Sequence, residues 1–222
     1  MTIVPNIYGP SNPPIASYDF FDIASGTGKE TFYFGVAYAS ADKYQLSNIA
    51  FYSNQIGTSS GVTNNAAFTK VIDKDFDVEF ARPTIINGLT IINIPHKMIN
   101  TGGTTNYYGY VVADVKRVVN AVETSLISAT GEEHQYHPTN FPENYHMNCL
   151  QVDIPQTHFK VGDLLRVTIE GYSKSDASTD MKLIIAHDPN GRTAPTFSDD
   201  SSADFSGDVT VATFQVPFRI EI

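Results

Sequence analysis

In the clearest segments of the chain, apolar side chains fall on every second residue. Along Leu165-Arg166-Val167-Thr168-Ile169-Glu170 the Leu, Val and Ile face one way and the Arg, Thr and Glu the other, because a strand sends successive side chains to opposite faces. The C-terminal segment repeats the pattern: Phe214, Val216, Phe218, Ile220 and Ile222 alternate with Thr213, Gln215, Pro217, Arg219 and Glu221. One wet face per strand predicts an antiparallel sandwich, since a parallel sheet covered on both sides reads as unbroken apolar runs. Pro217 has no N–H to give to a ladder and is expected at a sheet edge or a bulge.

Further strands are predicted over 31–38, 46–53, 76–81, 89–94, 108–119, 123–128, 148–154 and 181–187, each rich in β-branched or aromatic residues and bounded by Gly, Asn, Asp or Ser. Asn87-Gly88 reads as a tight hairpin turn, both residues tolerating positive φ. Short helical turns are expected around 42–45 and 64–70, and sustained helical periodicity is absent. Many strands with no helices to cover a sheet leave a two-sheet sandwich or a barrel as the stable layer arrangement. The fold class is therefore all-β, an antiparallel β-sandwich over residues 18–222. Residues 1–17 carry Pro5, Pro10, Pro13 and Pro14, which fix φ and remove backbone donors, so this segment reads as an extended N-terminal arm. Its apolar Ile3, Val4, Ile7 and Tyr8 are expected to make subunit contacts. The polar stretches 131–146 and 193–207 are long for loops and are expected to carry specific contacts.

Composition narrows the function. A chain of 222 residues is one large domain or two small ones, and it buries enough surface to fold without disulfides or metal. With 12 Tyr, 14 Phe and only 17% charged residues it is not intrinsically disordered. Its formal net charge of -10 argues against direct contact with nucleic acid, which needs clustered Lys and Arg. Cys149 is the only cysteine, so no intramolecular disulfide forms. No apolar run approaches the ~20 residues of a transmembrane segment. The N-terminal residues lack a basic start and apolar centre, so export through a signal peptide is not expected. The chain has no Asn-x-Ser/Thr, against a glycosylated secreted protein.

Four stretches carry candidate chemistry. Gly57-Thr58-Ser59-Ser60-Gly61 has the spacing of a serine-hydrolase nucleophile elbow, but no buried helix follows it, and a flexible Ser/Gly loop is expected instead. Gly26-Thr27-Gly28-Lys29 lacks the earlier Gly and the following Ser or Thr of a phosphate-binding loop, and reads as a turn between strands. His134, His137 and His146, with His158 further on and Glu132, Glu133 and Glu143 among them, supply donors that zinc accepts. Asp199, Asp200, Asp204 and Asp208 supply hard oxygens suited to calcium. Solvated loops are the default reading of both groups, so no cofactor and no metal site are assigned, and structural zinc or calcium stays as the lesser alternative. No catalytic residues are assigned and no enzyme is expected.

The stretch Gln156-Thr157-His158-Phe159-Lys160-Val161-Gly162-Asp163-Leu164-Leu165-Arg166-Val167-Thr168-Ile169 resembles the segment of jelly-roll proteins in which a Gly-Asp turn feeds a core strand. His187-Asp188-Pro189, the acidic stretch after it and the terminal Thr213-Phe214-Gln215-Val216-Pro217-Phe218-Arg219-Ile220 resemble the close of small structural proteins of bacterial and archaeal viruses. The resemblance implies a single jelly roll and a self-assembling capsid protein of an icosahedral virus, located in the virion and assembled in the host cytoplasm. Its partners would be its own copies, other capsid proteins and an internal viral membrane layer, with no direct nucleic acid. The Gly-Asp-x-Leu-Arg segment is also similar to jelly-roll accessory domains of esterases and to carbohydrate-binding modules. There Tyr107, Tyr108, Tyr136 and Tyr145 would stand in for the Trp that this chain lacks.

Overall fold

A computed structural model describes residues 27–37, 43–51, 53, 55–102, 106–136, 145–176, 180–189 and 210–219. Twelve strands run through them: β1 (Thr27–Val36), β2 (Tyr44–Ser47), β3 (Gly57–Ser59), β4 (Thr69–Glu79), β5 (Thr84–Gly102), β6 (Tyr107–Val119), β7 (Val122–Thr130), β8 (His134–Tyr136), β9 (Tyr145–Phe159), β10 (Leu164–Ser175), β11 (Asp180–Ala186) and β12 (Thr213–Arg219). The chain is all-β.

The long strands form two antiparallel layers, one ordered β1-β12-β5-β9 and the other β4-β10-β6-β7. Taken as the first to eighth of the main strands, these orders are 1-8-3-6 and 2-7-4-5, the connectivity of a jelly roll built from two Greek keys. β2 joins the layers at one corner, pairing with β1 and meeting β4 through the single parallel pair Gln45–Asp77. β11 continues the first layer beside the far half of β5 and carries β3 on its outer edge.

Alternation places the core. Phe32 and Phe34 of β1, Phe214 and Val216 of β12, Ile92 and Ile94 of β5, and Leu150 and Val152 of β9 point inward, against Phe76 of β4, Leu165, Val167 and Ile169 of β10, and Val111, Ala113 and Val115 of β6. The inner face expected for β10 is the observed one. Phe34 meets Phe76 edge-on at 4.9 Å between ring centroids, an arrangement that adds to the area both rings bury. Phe218 packs on Phe32 and Phe80; Ile220 and Ile222 lie outside the described residues.

Two of the five register shifts among the described residues and one hairpin account for the turn and proline residues that the sequence singles out. The β12–β5 register shifts between Gln215 and Phe218, which places Pro217 in the bulge its missing N–H requires. Asn87-Gly88 is not a hairpin turn. It lies inside β5, where the β5–β9 register shifts between Ile86 and Gly88, and Gly88 takes φ 114° beside the Pro217 ring. The turn-forming pair is thus used for a bulge, since β5 continues through it with partners on both sides. The tight turn is instead at Asn120-Ala121, with φ of 51° and 64°, which joins β6 to β7 in the mirror-image geometry that suits strand twist. Tyr44 and Gln45 belong to β2 and Thr69 and Lys70 to β4, while 64–68 are bends and irregular chain, so the helical turns expected around 42–45 and 64–70 are not formed among the described residues.

Candidate functional site

The β5–β9 register sets His96 directly opposite His146. β8, paired with β6 in the other layer, brings His134 and Tyr136 across from them. The result is a group of three imidazoles between the layers at one end of the sandwich. The His134 and His146 rings stack with centroids 4.2 Å apart and 16° between planes; His96 lies 5.3 Å from His134 and 6.0 Å from His146. Tyr136 meets His146 edge-on at 4.9 Å and stacks on Tyr107.

His96 is fully buried. Its Nδ1–H donates a long bond, 3.5 Å, to the Ile94 carbonyl, leaving Nε2 as an acceptor with no partner among the described residues. In its Nε2-protonated tautomer His134 donates to Asn148 Oδ1 at 3.2 Å. Asn148 Nδ2 and the Tyr136 hydroxyl are also buried without a partner among those residues. Burial, with His134 adjacent, pushes His96 down to about 3 and His146 to about 4, and burial pushes Tyr136 well above the usual phenol range. His96 and His146 are therefore neutral at pH 7.

Neutral imidazoles are metal ligands and bases, but stacked rings direct their in-plane lone pairs side by side instead of toward one point. Among the described residues no group of three His, Cys, Asp or Glu is placed to hold a metal ion. Of the sequence candidates, His134 and His146 come together. His158 does not join them, being exposed on the outer face of β9 beside Gln156. His137, Glu143, Asp199, Asp200, Asp204, Asp208 and the arm residues Ile3, Val4, Ile7 and Tyr8 lie outside the described residues. Sequence reading missed His96, which sits 38 positions from His134 inside an alternating strand; only the β5–β9 register reveals it.

The Gly57–Gly61 stretch is no elbow. Gly57–Ser59 is β3, paired antiparallel with β11, and Ser59 Oγ accepts from the Gly61 N–H. The nearby buried His187 reaches the neighbouring Thr58, with Nε2 2.8 Å from Oγ1, and the Tyr44 hydroxyl joins them at 3.2 Å. The expected free Ser/Gly loop is thus partly an edge strand. Thr27–Lys29 likewise opens β1 against β12 instead of forming a turn.

The tyrosines do not form the platform expected of a sugar-binding module. Tyr107 and Tyr136 are core residues stacked on each other. On the outer face of β6 and β10, Tyr110 and Tyr172 stack with planes 7° apart, and Phe68 abuts Tyr110. Lys174 covers the rings of Phe68 and Tyr108. These rings spend their faces on one another.

No family model and no curated protein sequence matches this chain. Solved structures do. An α-amino acid ester hydrolase matches with TM-score 0.55 at 9% identity, over 86% of this chain and 36% of its own. An aminopeptidase from a marine-sediment thaumarchaeon matches with TM-score 0.50 at 6% identity, over 88% of this chain and 37% of its own. The VP2 subviral particle of infectious bursal disease virus matches with TM-score 0.31 at 8% identity, over 74% of this chain and 37% of its own, too low to bear on the fold. This chain spans just over a third of each hydrolase. The expectation that the protein is no enzyme is corrected here: these two neighbours, at TM-scores 0.55 and 0.50, are hydrolases, so the fold is one that enzymes carry. Fold and activity are separate matters at such low identity. Among the described residues no helix is long and apolar enough to cross a membrane.

Proposed function

We propose that the protein is a virion structural protein, a single jelly-roll subunit that self-assembles with its own copies and other capsid proteins into the shell of an icosahedral virus of bacteria or archaea. The observation that carries this reading is the 1-8-3-6 and 2-7-4-5 strand order, since eight-stranded jelly rolls recur as capsid units. The sequence resemblance at Gly162-Asp163 supports it. Gly162 takes φ 84°, and the Asp163 carboxylate accepts from the Lys160 N–H and from Arg117 Nε and Nη2, fixing the turn that feeds β10. The net charge of -10 suits a subunit separated from nucleic acid by a membrane layer or a basic partner. In this reading the protein resides in the virion after assembly in the host cytoplasm and uses no cofactor. The test is negative-stain microscopy of the purified protein, in which closed particles of uniform size are expected and monomers alone overturn the reading.

A second reading has its own support: the chain covers 36% of an ester hydrolase, so this sandwich also suits an accessory or binding domain within a larger hydrolytic protein. Retention of a monomer on a polysaccharide column, or activity on ester substrates, would favour it.

A further inference from the structure

The two outer faces of the sandwich differ in charge. Across β4-β10-β6-β7 the register builds the rows Asp75-Thr168-Asp114-Ser128 and Asp77-Arg166-Lys116-Ser125. Arg166 is held by Asp75, Asp77 and Glu123, and Lys116 by Glu123. Across β1-β12-β5-β9 the corresponding rows are Thr31-Gln215-Ile91-Gln151 and Tyr33-Thr213-Asn93-Cys149. Neither row carries a charge. Met147, opposite Pro95, and Leu89 extend this face, with 41% and 53% of their surfaces exposed. Charge returns in the row of Leu89, where Asp153 stands opposite it and Lys29 opposite Pro217, and beyond Pro95 at Lys97 and, on β11, Lys182.

We infer that this uncharged face is where two copies of the chain pair, sheet against sheet. Each copy carries a net charge of -10, so an approach through the carboxylate-rich face is repelled. Pairing through the neutral face places those carboxylates outside, behind two sandwiches each about 10 Å thick, beyond the Debye length of about 8 Å at physiological salt. Ile91, Met147 and Tyr33 supply apolar contact, and the amides and hydroxyls around them bond across the junction without leaving a buried charge unpaired. The inference deepens the shell reading and rests on it only in that both require copies to associate.

The chain provides its own probe, because its sole cysteine, Cys149, is exposed on this face. Sedimentation of the wild type, Ile91→Glu and Ser128→Glu, each confirmed folded by circular dichroism, is combined with cross-linking of wild-type Cys149 by short bismaleimides. The expected result is a wild-type dimer or larger species, covalent dimers through Cys149, at least tenfold weaker association for Ile91→Glu, and no change for Ser128→Glu on the charged face. Wild-type protein that stays monomeric at 100 μM overturns the inference. So does Ile91→Glu associating like the wild type, Ser128→Glu weakening association equally, or Cys149 refusing the reagent because another part of the chain covers it. Dimers that never enlarge leave the pairing intact and sink the shell, whereas shells that form unchanged with Ile91→Glu do the reverse.

Discussion

His134 and His146 stack face to face, 4.2 Å between ring centroids, with buried His96 beside both. Imidazoles that burial holds neutral make the fold sensitive to acid. His96 is pushed down to about 3, His146 to about 4 and buried His187 to about 4 from an ordinary 6.5. The unfolded chain takes up protons near pH 6.5 that the folded chain refuses. The stability these groups contribute is thus fully present above pH 6.5 and is lost as pH falls toward 4 and below. For fully buried His96 and His187 the loss is up to about 1.4 kcal/mol per pH unit each, and less for half-exposed His146. Urea unfolding at pH 7, 6, 5 and 4 should show this slope, reduced by one proton in His96→Gln; a flat profile would contradict it.

Glu30 acts in the opposite direction. It points inward from β1, 3% exposed, with Oε2 unpartnered among the described residues. Burial raises its carboxyl to about 7, offset in part by a hydrogen bond with Asn48. The stability tied to its protonated form is complete below about pH 4.5 and is lost as pH rises through 7. Glu30→Gln should therefore be more stable than the wild type by about 1–3 kcal/mol at pH 8 and nearly equal to it at pH 4. Thermal melts at the two pH values check the difference.

Ala121 sits at φ 64° in the β6–β7 turn, a conformation that costs an L-residue with a Cβ roughly 1–2 kcal/mol. Ala121→Gly completes an Asn-Gly turn and should raise stability by about 1 kcal/mol by denaturant unfolding, after the entropy lost by glycine is counted. A decrease would mean that the turn is not of the mirror-image type.

Val167 is fully buried at the centre of β10. Val167→Asp places an unpaired carboxylate there, at a cost of several kcal/mol. The variant should fail to accumulate as soluble protein, and a soluble, cooperatively melting variant would contradict the observed facing of β10.

Much of the sandwich was legible because its long strands keep one wet face. The alternation in Leu165–Glu170 and from Thr213 through Phe218 gives both strand and facing. β3 and β8 are three residues each, too short for alternation to register, and they form because β11 and β6 offer them edges. Asn87-Gly88 misled because local turn chemistry is the same in a bulge; the partners on both sides of β5 decide the outcome. The histidine group was half legible. His134 and His146 lie near each other in the chain, whereas His96 joins them only through pairing, and no local pattern encodes that.

The most direct measurement of the shell reading is sedimentation velocity of the purified chain from 1 to 100 μM at physiological salt. Self-assembly predicts a boundary that moves from small species to a single fast-sedimenting particle as concentration rises. A 24.3 kDa monomer at every concentration, unchanged by raised salt, would contradict it.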